Sequence, residues 1–243
     1  MKKVVIGLLF EVIILVLLAT VVVVVAKAQE RGKANAPDLE KIEFIHWKKG
    51  FAKPEGAKAP KPPSCYKFLT PTKIRWQGLP VNYVVNPANP QNLGEKFIES
   101  VVSTSAETWD TAATSKELMN DKYTIGAVTY GVQDYKNAIT FGDYPTAGVI
   151  AVTTVWYNPA LKAIVEFDVM FDTDWTWGDA TKEPAKMDLQ NIATHEFGHG
   201  VGLNDVYDSV CSPVTMYGYS DYGETQKRTL ESPDIKGLLT LYP

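Results

Sequence analysis

The most constraining feature of this 243-residue sequence is a pair of histidines four residues apart, His195 and His199, just before a glycine-rich turn. On an α-helix, residues i and i+4 lie one above the other on one face, so both imidazoles can bind one metal ion. The pair therefore predicts a helix that runs from Asp188, a candidate N-cap, to about Gly200. The chain holds only three histidines and two cysteines, which excludes multi-zinc and disulfide-dense folds.

The residues around this pair predict what a metal ion would do there. Zn²⁺ accepts imidazole nitrogens in a tetrahedral site that keeps one position for water. Glu196 follows His195 directly, and a carboxylate there can act as general base toward that water. Gly202 predicts a chain reversal because glycine accepts positive φ, and beyond the reversal Asp205 is the candidate third ligand. On the five-residue pattern alone, two histidines of an ordinary helix without a metal remain an alternative.

The N-terminal residues 1–28 predict export. An apolar stretch at 4–26 is interrupted by Glu11, and the 15 residues after that interruption are short for a membrane span but suit a signal-peptide core. A small-x-small pattern permits cleavage after Ala28. An uncleaved anchor stays open, because the whole stretch 4–26 is long enough to cross a bilayer. Either alternative places the rest of the chain outside the cytoplasm, secreted or tethered to the outer face of the membrane.

Residues 29–64 are rich in Lys, Arg and Pro, which predicts a linker or a short pro-segment. Their one apolar island, residues 42–47, contains His46. We expect His46 to be solvated, or docked with this island on the folded domain as a strand. The folded domain is then residues 65–243, which hold 13 basic and 22 acidic residues. This acidic balance gives no footprint for nucleic acid.

Periodicity within residues 65–243 predicts an α/β or α+β sandwich. A long amphipathic helix at 93–113 precedes the histidine helix, and a short closing helix follows it at 232–241. The expected strands lie at 81–85, about 123–130, 149–157 and 163–171.

The stretch HEFGHGVGLND at 195–205 resembles the extended zinc signature of the metzincin metallopeptidases, with Asp where most members have a third His. That replacement is similar to the one in the snapalysin-type small neutral proteases. Residues 212–218, with Met216 at their centre, resemble the Met-turn that underlies the metal in metzincins. The last residues, 233–242, are similar to the final helix of the matrixins. The order of strands and helices upstream also fits a matrixin-like catalytic domain.

The resemblance implies the fold, the activity and the roles of individual residues. The fold would be a twisted, mostly parallel sheet with a long backing helix, a zinc-binding helix and a C-terminal helix. One catalytic Zn²⁺ would be held by His195, His199 and Asp205. Glu196 would be the general base of an endopeptidase that hydrolyses proteins or peptides. Tyr217, directly after the Met-turn methionine, would line the substrate pocket.

The resemblance also bears on calcium and on a second zinc. Asp172 and Asp174 fall where matrixins have a calcium-binding stretch, with a solvated acidic loop as the alternative. Matrixins usually carry a second, structural zinc bound mainly by histidines. Only His46 remains for such a site, so we expect none here. The cysteine-switch segment of the matrixins is not recognisable in this chain.

Cys65 and Cys211 are the only cysteines, in a chain whose N-terminus predicts export. Because exported chains meet oxidising conditions, the two cysteines predict one disulfide that ties the start of the domain to the loop before the Met-turn. The alternative is a Cys65 thiolate that occupies the open position of the zinc.

Two other functions stay open. A metallopeptidase of another clan would take a later glutamate, such as Glu224 or Glu231, as third ligand, but the early reversal at Gly202 argues against it. A non-catalytic extracellular binding module would hold zinc only as a structural staple, but such a module has no need of Glu196. We therefore expect a secreted or membrane-anchored zinc endopeptidase. It would be a monomer that touches the membrane only through its N-terminal segment.

Overall fold

The computed structural model describes residues 38–51 and 64–243. Its three α-helices in this part of the chain are α1 (Glu95–Ala112), α2 (Leu189–Gly200) and α3 (Ser232–Leu241), with short 3₁₀ turns at Ser209–Cys211 and Gln226–Arg228. The strands are β1 (Glu40–Lys48), β2 (Lys67–Phe68), β3 (Val84–Val85), β4 (Thr124–Ile125), β5 (Ala138–Gly142), β6 (Val149–Asn158), β7 (Ala163–Asp172), β8 (Trp177–Gly178), β9 (Met187–Asp188), β10 (Leu203–Asn204) and β11 (Tyr219–Ser220).

Seven strands form one sheet in the order β11-β1-β6-β7-β5-β3-β4. The half from β7 to β4 is parallel throughout, β6 is antiparallel to both β7 and β1, and β1 is parallel to β11. Strand β6 is buried along nearly its whole length, as its continuous run of apolar and threonine residues requires, since such a strand is covered on both faces. The prediction of a mixed fold with a mostly parallel sheet is confirmed.

The helix that carries the histidine pair packs directly on the long helix. The apolar residues of α1 recur at helical spacing and form its buried face. Trp109 of α1 donates its indole N–H to the Thr194 carbonyl of α2 at 2.8 Å. Helix α2 begins where Asp188 accepts the Asn191 amide at 2.8 Å, as an N-cap does, and it is buried over nearly all its residues. The long helix therefore fixes α2 in position.

Some predicted strands are shorter than expected, for a physical reason. The strand expected at about 123–130 survives only as β4, and β5 was not predicted. The chain between them leaves the sheet because its backbone amides donate to side chains instead of to a neighbouring strand. Gly131 donates to Asp168 at 2.8 Å, and Asp134 donates to Glu166 at 3.1 Å. Buried carboxylates of β7 thus replace a strand as hydrogen-bond partners.

The island at 42–47 is part of strand β1, so the docked alternative for these residues is the one that the structure shows. Cys65 and Cys211 form a disulfide with an S–S distance of 2.01 Å. The segment at 1–28 and most of 29–64 lie outside the described residues. None of the helices described is both long and apolar enough to cross a membrane.

Candidate metal centre

Helix α2 and the turn after it bring His195, His199 and Asp205 together. The Asp205 Oδ1 atom lies 3.1 Å from His195 Nε2 and 3.6 Å from His199 Nε2. All three side chains are buried. The reversal occurs at Gly202, whose φ is +112° and where a Cβ would lie 2.8 Å from Leu241 Cδ1 and 3.1 Å from the Ile74 carbonyl. Glycine is therefore required both for the backbone conformation and for the space.

In each of the two imidazoles, the hydrogen bond made by Nδ1 determines whether Nε2 carries a proton. His195 Nδ1 donates to the Thr215 carbonyl at 2.7 Å, and His199 Nδ1 donates to the Leu203 carbonyl at 2.9 Å. Each ring therefore carries its proton on Nδ1 and turns the lone pair of Nε2 toward Asp205. Burial lowers the pKa of His195 to about 4 and also lowers the pKa of His199, so both rings are neutral.

Three buried atoms then face one another without a proton between them. His195 Nε2, His199 Nε2 and Asp205 Oδ1 have no hydrogen-bond partner. Two imidazole lone pairs and a carboxylate oxygen at this separation repel unless a cation lies between them. Nitrogen and carboxylate ligands of this kind, with their far sides hydrogen-bonded, match what Zn²⁺ accepts. The residues present fit a zinc ion.

A hydrogen bond to the second carboxylate oxygen, Oδ2, holds the Asp205 side chain in place. Tyr207 donates its hydroxyl to Asp205 Oδ2 at 3.0 Å. Burial acts to raise the pKa of Asp205, and the hydrogen bond from Tyr207 acts to lower it. The ionised carboxylate presents Oδ1 to the two rings.

Glu196 lies beside this triad and is fully buried. Its Oε2 accepts the Thr153 hydroxyl at 2.6 Å, and its Oε1 lies 3.0 Å from His46 Nδ1. Burial raises the pKa of Glu196 to about 8. A carboxylate with a raised pKa is better able to take up a proton near neutral pH. Glu196 contributes none of the three unpartnered atoms, which belong to His195, His199 and Asp205.

Met216 supports the helix from below. A Cβ on Gly198 of α2 would overlap the Met216 sulfur, which shows how closely the turn packs against the helix. The turn is fixed by Asp234 of α3, which accepts the Thr215 amide at 2.9 Å and the Met216 amide at 3.2 Å. Since the Thr215 carbonyl holds His195, this turn positions a candidate metal ligand as well as packing under the helix.

The remaining predicted residues take different places. The side chain of Tyr217 packs in a small cluster with the disulfide, Val206 and Val214, and its carbonyl accepts a hydrogen bond from Lys227. Glu224 pairs with Lys49, and Glu231 caps α3, so neither belongs to the triad.

A separate acidic group lies at the end of β7. Ligand atoms of Asp143, Asp172 and Asp174 lie within 4.8 Å of one another. Asp172 is buried and its Oδ2 atom has no hydrogen-bond partner, whereas the other two side chains are exposed. Asp172 Oδ1 accepts the Asp174 amide at 3.1 Å.

Strand β1 is the part of the site that was predicted least well. It lies between β6 and β11 and passes over the histidines. The Phe44 ring stacks on the His199 ring at a centroid distance of 4.3 Å, and the His46 ring lies 3.9 Å from the His195 ring. His46 is fully buried, so of the two alternatives the structure shows the docked histidine and not the solvated one. Successive side chains of a strand point to opposite faces, so a strand at 42–47 places Phe44 and His46 on one face. This alternation was the sequence signal for their shared position.

Lys227 is another residue near the site that was not predicted from the sequence. It is fully buried next to His46, with its Nζ atom 3.1 Å from His46 Nε2 and 3.0 Å from the Tyr219 carbonyl. Burial lowers the pKa of Lys227 to about 7. In the sequence it stands between Gln226 and Arg228, and such a polar run indicates solvent.

Comparison with known proteins gives a consistent family match. Residues 75–243 match the family model described as Matrixin. The chain is 27% identical to human neutrophil collagenase over 176 residues, 72% of this chain and 35% of the collagenase. It is 26% identical to the hatching enzyme of Paracentrotus lividus over 183 residues, 74% of this chain and 28% of that enzyme. It is also 26% identical to metalloendoproteinase 2-MMP of Arabidopsis thaliana over 182 residues, 72% of this chain and 44% of that protein. The matched region spans less than half the length of each of these relatives.

Proposed function

The chain belongs to the matrixin family, and on that premise we propose that it is a zinc-dependent endopeptidase with Asp205 as the third metal ligand. The observation that supports this most strongly is the convergence of three unpartnered buried atoms, from His195, His199 and Asp205, beside the buried carboxylate of Glu196. The substrates would be proteins or peptides. The N-terminal segment would deliver the enzyme outside the cytoplasm, secreted or tethered.

Each residue of the site has a defined task in this proposal. His195, His199 and Asp205 would hold Zn²⁺, which when bound supplies Lewis-acid chemistry for amide hydrolysis. Glu196 takes a proton from the attacking water and returns it to the leaving amine. Thr153 orients the Glu196 carboxylate through the bond to Oε2. Burial favours the protonated form of Glu196, so the proton is kept until the amine leaves.

Two variants separate metal binding from proton transfer. Glu196→Gln should keep zinc, measured by elemental analysis, and lose cleavage of a peptide library by at least about a hundredfold, since general base catalysis contributes that much. Asp205→Ala should lose zinc, because only two ligands remain. Asp208→Ala, an exposed neighbour that caps the next 3₁₀ turn, is the matched control.

The outcomes distinguish the alternatives. Chelator-sensitive cleavage that Glu196→Gln leaves intact would refute the proposed mechanism. Stoichiometric zinc in Asp205→Ala would remove Asp205 from the ligand set. Tight zinc without turnover, both in the wild type and in a His46→Ala variant, would favour a binding module with a structural zinc.

We further propose that Asp143, Asp172 and Asp174 bind Ca²⁺. Three carboxylates at this spacing offer the oxygen ligands that Ca²⁺ prefers, and the unpartnered Asp172 Oδ2 is already desolvated. Millimolar Ca²⁺ should raise the melting temperature of the zinc-loaded protein. Asp172→Asn should abolish that rise, whereas Asp121→Asn in an exposed acidic group should keep it. An equal rise in both variants would place calcium elsewhere.

A further inference from the structure

We propose that Lys227 determines specificity: it makes the pocket beside the metal centre select a substrate side chain with a hydrogen-bond acceptor, a carboxylate or a neutral imidazole. This inference rests on the proposed endopeptidase function. It concerns the pocket now filled by the His46 side chain, which Lys227, Ser220 and His195 surround.

The ammonium group of Lys227 has three protons to donate. One goes to the Tyr217 carbonyl and one to the Tyr219 carbonyl, both in the wall of the pocket. The third points to His46 Nε2 at 3.1 Å. Carbonyls of the pocket wall therefore accept two of the three N–H groups of Lys227. The third N–H group needs an acceptor on the side chain that fills the pocket.

The charge of Lys227 has no close counterpart. No carboxylate within residues 38–51 and 64–243 forms an ion pair with it, and Asp205, Glu224 and Glu196 act on it only from a distance. A buried cation without an anion is unfavourable. A substrate carboxylate in the pocket would pair with it, whereas an apolar side chain would leave the third N–H unsatisfied.

The His46 ring shows that the pocket accepts such a guest. Its Nδ1 donates to Glu196, so Nε2 is the acceptor for both the Ser220 hydroxyl at 3.0 Å and the Lys227 ammonium. Ser220 is buried as well. The far end of the pocket thus holds two hydrogen-bond donors, Ser220 and Lys227, that both point to the atom of the side chain filling it.

Peptides that differ at one residue test this selection. Once the chain has been cut at a protease site introduced within residues 52–63, so that His46 can leave the pocket, the enzyme should cleave peptides with Glu or His at the position of His46 with a kcat/KM about tenfold or more above the Leu peptide. Lys227→Met, which keeps the length and removes the donors, should abolish or invert that preference. Lys182→Met, in a largely exposed side chain, is the control. An unchanged preference in Lys227→Met would overturn the proposal.

A second measurement needs no turnover. Melting temperatures of the single variants His46→Leu and Lys227→Met and of the double variant form a cycle, and His46→Leu should cost more stability when Lys227 is present than when it is replaced. Absence of coupling would overturn the role of Lys227. Because this cycle is measured without turnover, failure of the peptidase proposal and failure of this one are read separately.

Discussion

At the scale of single residues, the site depends on what lies behind each ligand. The Thr215 and Leu203 carbonyls set the tautomers of His195 and His199, and Tyr207 sets the rotation of Asp205. None of these partners is recognisable in the sequence, because each comes from the backbone or from a loop. The candidate ligands could be predicted to lie together because they stand ten residues apart at most, with a helix fixing the spacing of the two histidines.

The contact between Gly198 and Met216 is the most sensitive packing point in this site. A Cβ at Gly198 would overlap the Met216 sulfur and lie 2.8 Å from Trp109 Cζ2. Gly198→Ala should therefore lower the free energy of unfolding by about 1–3 kcal/mol, as overpacking does. Urea unfolding at fixed zinc measures it, and Met216→Ala in the same chain should recover part of the loss.

Gly94→Ala is the matched control for Gly198→Ala, since nothing lies within 4 Å of its Cβ position and its φ is −64°. Equal stability changes at the two glycines would show that the contact with Met216 does not account for the effect.

At the scale of elements, local signals predicted the helices and failed for the edge of the sheet. Helices α2 and α3 follow from caps and periodicity within their own residues. Strand β1 exists because of partners more than a hundred residues away, at 149–157 and 219–220. Lys227 is buried for the same reason, since the Tyr217 and Tyr219 carbonyls that surround it belong to another segment.

The buried carboxylate of Asp168 makes one loop sensitive to pH. Burial raises its pKa to about 7, although the amides of Ala138 and Gly131 donate to it. In the unfolded chain its pKa is about 3.9. Between these values the folded state binds the extra proton, so the free energy of unfolding falls as pH rises from about 4 to about 7.

Asp168→Asn should remove this dependence, which amounts to at most about 1.4 kcal/mol per pH unit. Urea unfolding of both metal-free proteins at several pH values between 4.5 and 7.5 gives the two slopes, and their difference isolates Asp168 from the histidines. Parallel slopes would contradict the raised pKa.

At the scale of the whole molecule, residues that are distant in the chain close around one centre. Strand β2, just after Cys65, pairs with β10, just after the turn at Gly202. Helix α3, near the end of the chain, anchors the Met216 turn through Asp234. Strand β1 covers the same centre from the sheet side. We therefore expect metal binding and global stability to be coupled, because each candidate ligand is supported by a segment that folding must bring from elsewhere.

The disulfide closes the longest of these connections. It joins residues 146 positions apart, and it restricts the unfolded chain far more than it restricts the folded one. Replacement of both cysteines by serine should lower the free energy of unfolding by roughly 3–5 kcal/mol at fixed zinc. Reductant should destabilise the wild type by a similar amount and leave the double variant unchanged. A double variant within about 1 kcal/mol of wild type would mean that packing around Val206 and Val214 already holds the two segments together.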